Sequence, residues 1–185
     1  MAGLACAPTG ERRLRRGAVA VATGLPVDLE RRYSVLMALE GEYEPSAWQW
    51  VREQVAEYEA SGGERANTLQ DSGLTVIIVT TRGNKSHKIR KFALMRVEHD
   101  GEYALVASQG GAPTNPSWYF NLIDDPSALV IQDGATPFDF TARVVEDEER
   151  ALWWERAVAA YPPYSEYQTK TSRTIPVFVA TRTPS

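Results

Sequence analysis

Hydrophobic positions along this chain fall mostly into short runs separated by turn residues. Leu74 to Val79 (LTVIIV) is a continuous β-branched apolar stretch, the mark of a buried strand, and Gly73 to Thr81 bounds it. Gly83 and Asn84 break the run. A second strand is expected from Lys91 to Glu98. His99-Asp100-Gly101 then predicts a tight hairpin turn. Tyr103 to Ser108, Ala128 to Gln132, Phe138 to Val145 and Ile175 to Ala180 follow, bringing the expected strands to about six. Pro176 marks the last of them as an edge or bulged strand.

Helical spacing is confined to four stretches. Trp48, Val51, Val55 and Tyr58 recur on one face of a helix that Pro45 or Ser46 opens and Gly62-Gly63 closes. Trp48 and Trp50 read as packing residues, although an indole near a helix start can also stack on a flat ligand. Asn115 as cap and Pro116 at the first position open a short helix over Ser117 to Leu122. Glu146 to Ala160 is acidic at its start, as the helix dipole favours, and Pro162-Pro163 stops it. Tyr164 to Thr171 adds one or two turns. Short strands, hairpin turns and few helices predict a mainly β fold with helices (α+β), a small antiparallel barrel rather than a parallel sheet. No GxGxxG follows a strand, which argues against a Rossmann site.

Composition narrows the class. With 185 residues, 43% of them hydrophobic, the chain can bury one substantial core. A net charge of -4 gives no bulk attraction to nucleic acid or anionic membrane, and no apolar run is long enough to span a bilayer. Peripheral membrane contact stays open. Cys6 is the single cysteine, which suits a reducing cytoplasm, and two histidines, His87 and His99, are too few for most zinc sites. No metal is expected. Residues 1–34 carry six Arg against three acids, leaving 14 basic and 21 acidic residues for the remainder. The basic start resembles a signal peptide only faintly, with a short apolar part and no cleavage pattern. Residues 1–36 are expected to be a disordered leader or a mis-assigned start before Met37, with one domain over residues 37–185.

The chemistry concentrates at Thr80 to Arg90 (TTRGNKSHKIR). Lys85, Ser86, Lys88 and Arg90 crowd a turn between two strands, where backbone N–H groups, a hydroxyl and cations would suit a phosphate. A merely solvated basic hairpin fits the same local sequence. Likewise Tyr161, Tyr164 and Tyr167, spaced by three, read locally as a packing stripe.

Three stretches stand in order: Thr80 to Ser86 with Arg90; Ala107-Ser108-Gln109-Gly110-Gly111 through Asn115 to Leu122; and Tyr161 to Gln168 with Arg173 to Val177. Together they resemble the deazaflavin-dependent nitroreductase family, also called the F420H2-dependent quinone reductases, over residues 40 to 182. The resemblance implies a split β-barrel, like that of flavin-nucleotide (FMN-binding) oxidases, and reduced coenzyme F420 as hydride donor to a small quinone-like or nitro-aromatic acceptor. The alternatives are the same barrel with FMN or haem, or an F420-binding module without turnover.

The resemblance also implies a site. Asn84, Lys85, Ser86 and Arg90 would meet the cofactor phosphate, and Lys88 the anionic glutamate tail. Lys91, Phe92, Ala93, Leu94 and Met95 would continue along the ring, with Val106, Ala107 and Ser108 offering backbone and a hydroxyl and Gln109 also binding the cofactor. Ser117, Trp118, Tyr119, Phe120 and Asn121 would close the pocket. Tyr164, with Tyr161, Tyr167 and Ser108, would form the catalytic group around the acceptor, Tyr164 being nearest the ring. The chain departs from the family at His87, where glycine is usual, at Asn84, where arginine is common, and at Ala93, a frequent proline. His87 is a candidate compensating phosphate ligand.

Overall fold

A computed structural model of the chain describes residues 39–184, so the expected leader lies outside the described residues. One sheet holds seven strands: β1 (Val76–Arg82), β2 (Ile89–Met95), β3 (Glu98–His99), β4 (Glu102–Val106), β5 (Leu129–Gln132), β6 (Pro137–Val145) and β7 (Val177–Arg182). Every pairing is antiparallel, in the order β2-β1-β5-β6-β7-β4-β3. The outermost strands, β2 and β3, are consecutive in the chain and joined only through Arg96 and Val97. So short a link can join the two ends of a seven-strand order only if the sheet curls on itself, and it forms a half-barrel.

Among the described residues four α-helices cover it: α1 (Gln49–Ser61), α2 (Ser117–Asp124), α3 (Asp147–Ala160) and α4 (Pro163–Thr169). Strand alternation divides the core into two layers. Ile77, Val79, Leu105, Leu129, Ile131, Phe140 and Phe178 face one way, and α2 plugs that side with Trp118 and Leu122. Val76, Ile78, Ala104, Val106, Val177 and Val179 face the other, against Val55 and Tyr58 of α1, Trp153 and Ala157 of α3 and Tyr164 of α4. Burial on both faces explains why β1 reads as an unbroken apolar run rather than an alternation.

Several boundaries differ from the sequence expectation. β1 runs from Val76 to Arg82, starting later than the expected Gly73 and passing Thr81 by one residue, and the basic turn is only Gly83 to Lys88. The second expected strand breaks at Arg96-Val97 to release β3, giving seven strands instead of six. Helix α1 starts at Gln49, later than Pro45 or Ser46, and the Ser46 hydroxyl accepts from the Trp48 amide at 3.2 Å ahead of it. Asn115 does not cap α2, whose N-cap is Pro116; the Asn115 side chain is engaged elsewhere. Strand β7 lies between β6 and β4 and is not an edge. Pro176 sits just before it, where a missing N–H interrupts no ladder bond, and the Pro176 carbonyl accepts from Ala107 at 2.9 Å. The expected Asp-Gly turn is present, with φ of 52° at Asp100 and 82° at Gly101.

Candidate functional site

The basic turn is built by its own backbone. The Gly83 amide donates to the Lys88 carbonyl and the His87 amide to the Gly83 carbonyl, both at 2.8 Å. A Cβ on Gly83 would lie 2.7 Å from the Ser86 Oγ, so a side chain there would displace the Ser86 hydroxyl from its place in the turn. His87 holds a φ of 55°, the left-handed region in which an L side chain is strained. The turn is tied to α2 by Asn121, whose Oδ1 accepts from the Asn84 amide and whose Nδ2 donates to Thr81 Oγ1, each at 3.1 Å. Asn121 and Thr81 are both buried.

Beside this turn opens a cavity of about 760 Å³. Asn84, Lys85, Ser86, Arg90 and Lys91 form its polar end, and Phe92, Ala93 and Leu94 its strand wall. Five consecutive residues of β2, an edge strand of the sheet, line the one cavity. Ser117, Trp118 and Asn121 of α2, with Gln109, supply the next wall, and Trp118 stacks on Phe92 with ring centres 5.8 Å apart. The fourth wall is Glu44 to Trp48 without Pro45, then Trp50 and Val51 at the start of α1. Trp48 is 70% exposed and Trp50 46%, so neither belongs to the core that the helical spacing suggested.

The cations are spoken for unequally. Arg90 pairs with Glu44 and lies 3.4 Å from Ser86 Oγ. Lys88 pairs with Glu42 at 3.1 Å and Lys91 with Glu59 at 2.6 Å. Lys85 is exposed and forms no ion pair among the described residues. Glu42 and Glu44 are brought there by backbone: Ile89 donates to the Glu42 carbonyl at 2.9 Å, and Glu44 donates to the Ile89 carbonyl at 3.0 Å. This acidic strip was not singled out in the sequence, and its alternation with Tyr43 offered little signal.

A family model, F420H(2)-dependent quinone reductase, matches residues 50–182. The chain belongs to that family. It is an F420H2-dependent oxidoreductase, with coenzyme F420 as cofactor. An F420H(2)-dependent quinone reductase of Mycobacterium tuberculosis (strain H37Rv) is 33% identical over 137 residues, covering 72% of this chain and 91% of the relative. A second protein of that organism, described as a putative F420H(2)-dependent quinone reductase, is 34% identical over 103 residues, with 56% and 86% coverage. A solved F420-H2 dependent reductase is 56% identical, covers 57% of this chain and 92% of its own, and superposes with a TM-score of 0.54. A structure described as a domain-swapped dimer is 48% identical, with 73% and 99% coverage and a TM-score of 0.57.

The F420H(2)-dependent quinone reductase fold brings twelve of the expected cofactor residues to the cavity: Asn84, Lys85, Ser86, Arg90, Lys91, Phe92, Ala93, Leu94, Gln109, Ser117, Trp118 and Asn121. The donor set fits an anionic, flat-ringed group, with cations and a hydroxyl at one end and an aromatic-apolar wall beyond. The remaining expected residues lie elsewhere. Met95 and Val106 pack in the helix-covered layer and Ala107 in the other. Ser108 is buried behind Gln109, its carbonyl accepting from the Gly111 amide at 2.9 Å. Tyr119 packs edge-on against Phe178 at 5.5 Å, and Phe120 points outward, 48% exposed. His87 does not line the cavity, and its left-handed φ is one that glycine would adopt without strain.

The structure does not bring the three tyrosines to this cavity. Pro162-Pro163 turns α4 back toward α3, so Tyr164 enters the helix-covered layer at 4% exposure, 6.2 Å from Trp154 between ring centres. Tyr161 and Tyr164 meet edge-to-face at 4.9 Å, and the Tyr161 and Tyr167 hydroxyls share a hydrogen bond of 3.1 Å. Burial, and then the bond to Tyr167, pushes the Tyr161 phenol up to about 12. Burial, then the neighbouring phenols Tyr161 and Tyr167, raises Tyr164 further.

Proposed function

We propose that this cavity holds reduced F420 and presents it to a quinone-like or nitro-aromatic acceptor. One observation carries the reading: a cationic turn and a flat apolar wall share a single cavity beside edge strand β2. Lys85, Ser86 and Arg90 bind the phosphate, with Arg90 released from Glu44 to do so. Phe92, Leu94 and Trp118 flank the ring and exclude water from its face. Asn121 keeps its own helix, α2, at fixed separation from the turn, since it bonds to Asn84 in the turn and to Thr81 at the end of β1. When bound, the reduced deazaflavin supplies the hydride. Trp48 and Trp50 offer stacking surface to the acceptor at the open side. Tyr161, Tyr164 and Tyr167 support this arrangement from the adjoining helix.

The deciding experiment titrates purified protein with oxidised F420 and follows its fluorescence, then assays F420H2 oxidation with a quinone and with a nitro-aromatic. Saturable binding and repeated turnover with either acceptor are expected. Binding of FMN in place of F420, or binding without turnover, would overturn the proposal.

A further inference from the structure

The loop from Ala107 to Asn115 leaves β4, presents Gln109 to the cavity and delivers the chain to α2. It is an awkward loop. Gln109 has φ of 46°, Gly110 of 66° and Gly111 of 84°, and its own turns rest on two bonds, Gly111 to Ser108 at 2.9 Å and Ala112 to Gln109 at 3.1 Å. Its shape is imposed from outside by one side chain. Arg173 donates through Nε to the Ala112 carbonyl at 3.0 Å and through Nη1 to Asn115 Oδ1 at 2.6 Å. Through Nη2 it donates to the carbonyls of Ala107 and Ser108, both at 3.0 Å. Both ends of the loop are thereby tied to one rigid fork.

Arg173 is itself held. Gln168 of α4 donates to the Arg173 carbonyl at 2.8 Å and accepts from the Ile175 amide at 3.0 Å. A Cβ on Gly111 would sit 2.7 Å from the Tyr167 carbonyl, so the loop and α4 also touch directly. Arg173 is not among the cavity-lining residues.

We infer that Arg173 is a positioning residue for the cofactor, fixing Gln109 and the start of α2 against the cavity by bonding both ends of the loop between them. The inference rests on the cofactor reading of the cavity. Lysine cannot replace the fork: its ammonium has three donors on a flexible stem and cannot span four acceptors on opposite sides of a loop.

The test compares wild type with Arg173→Lys and Asn115→Ala, using hydrogen exchange of residues 108–112 without ligand and fluorescence titration with F420. Arg173→Lys should speed exchange in the loop and raise the F420 dissociation constant about tenfold, the size of one lost charged hydrogen bond. Asn115→Ala, which keeps three of the four bonds, should move both readouts in the same direction and less. Unchanged exchange, or faster exchange with unchanged affinity in a folded Arg173→Lys protein, would overturn the inference. Wild-type protein that binds no F420 would instead remove the cofactor reading beneath it.

Discussion

Single residues decide the proposed anion site. Lys85 projects into the cavity without an ion-pair partner among the described residues, whereas Arg90 must leave Glu44 before it can meet a phosphate. Lys85→Ala should therefore weaken F420 binding by about 1.5–3 kcal/mol, the worth of a charged hydrogen bond. Glu44→Gln should do the opposite, tightening binding by about 0.5–1 kcal/mol, because a partly exposed ion pair of that size no longer competes. Titrations of both variants read the two effects with opposite signs, and equal losses in both would disprove the competition. His87 belongs to this scale as well. Its left-handed φ costs about 1–2 kcal/mol that glycine does not incur. His87→Gly should raise unfolding stability by about 0.5–1 kcal/mol, since glycine's greater chain entropy offsets part of the relief. F420 affinity should stay unchanged, as the side chain does not line the cavity. A drop in affinity would restore His87 as a ligand.

At the scale of elements, the site depends on α2 being seated in the half-barrel. Trp118 and Leu122 anchor it in the layer that also holds Phe178 and Ile131. Leu122 is 1% exposed. Leu122→Ala should cost about 2–5 kcal/mol in urea unfolding and weaken F420 binding, because Ser117, Trp118 and Asn121 ride on the same helix. Loss of stability with unchanged affinity would separate the helix from the site. The tyrosine element shows how little spacing alone says about where a residue goes. Spacing by three states that Tyr161, Tyr164 and Tyr167 share a neighbourhood. It does not state which way Pro162-Pro163 sends the helix.

For the whole molecule, half-buried and buried phenols set an alkaline limit. Tyr103, pushed up to about 12 by burial and by its hydrogen bond to Asp133, and Tyr161, also up to about 12, are neutral in the fold where an unfolded tyrosine would ionise near 10. Raised folded values mean that the contribution is fully present below pH 10 and is lost as pH rises toward 12. Stability measured by denaturant should therefore be flat up to about pH 10 and fall beyond it. Tyr164→Phe should make that fall shallower, since it removes a buried phenol whose ionisation is also raised. The same slope in both proteins would show that Tyr164 does not contribute.

The sequence by itself determined the strands of β1, β4 and β6, the Asp-Gly hairpin, the basic turn at Gly83 to Lys88 and the family to which the chain belongs. These depend on local causes: branching at Cβ, positive φ at glycine, charge next to a turn. Tertiary structure decided the rest. Curling of the sheet, forced by the link between its two edge strands, made β2 an edge and split off β3. Pairing of Ile89 with the strip Glu42 to Glu44 placed acids over the cations. The direction of α4 buried Tyr164, and a guanidinium 58 to 66 residues distant in sequence tied both ends of the loop from Ala107 to Asn115. Each of these joins residues far apart along the chain, and no local pattern encodes where a folded chain will bring them together.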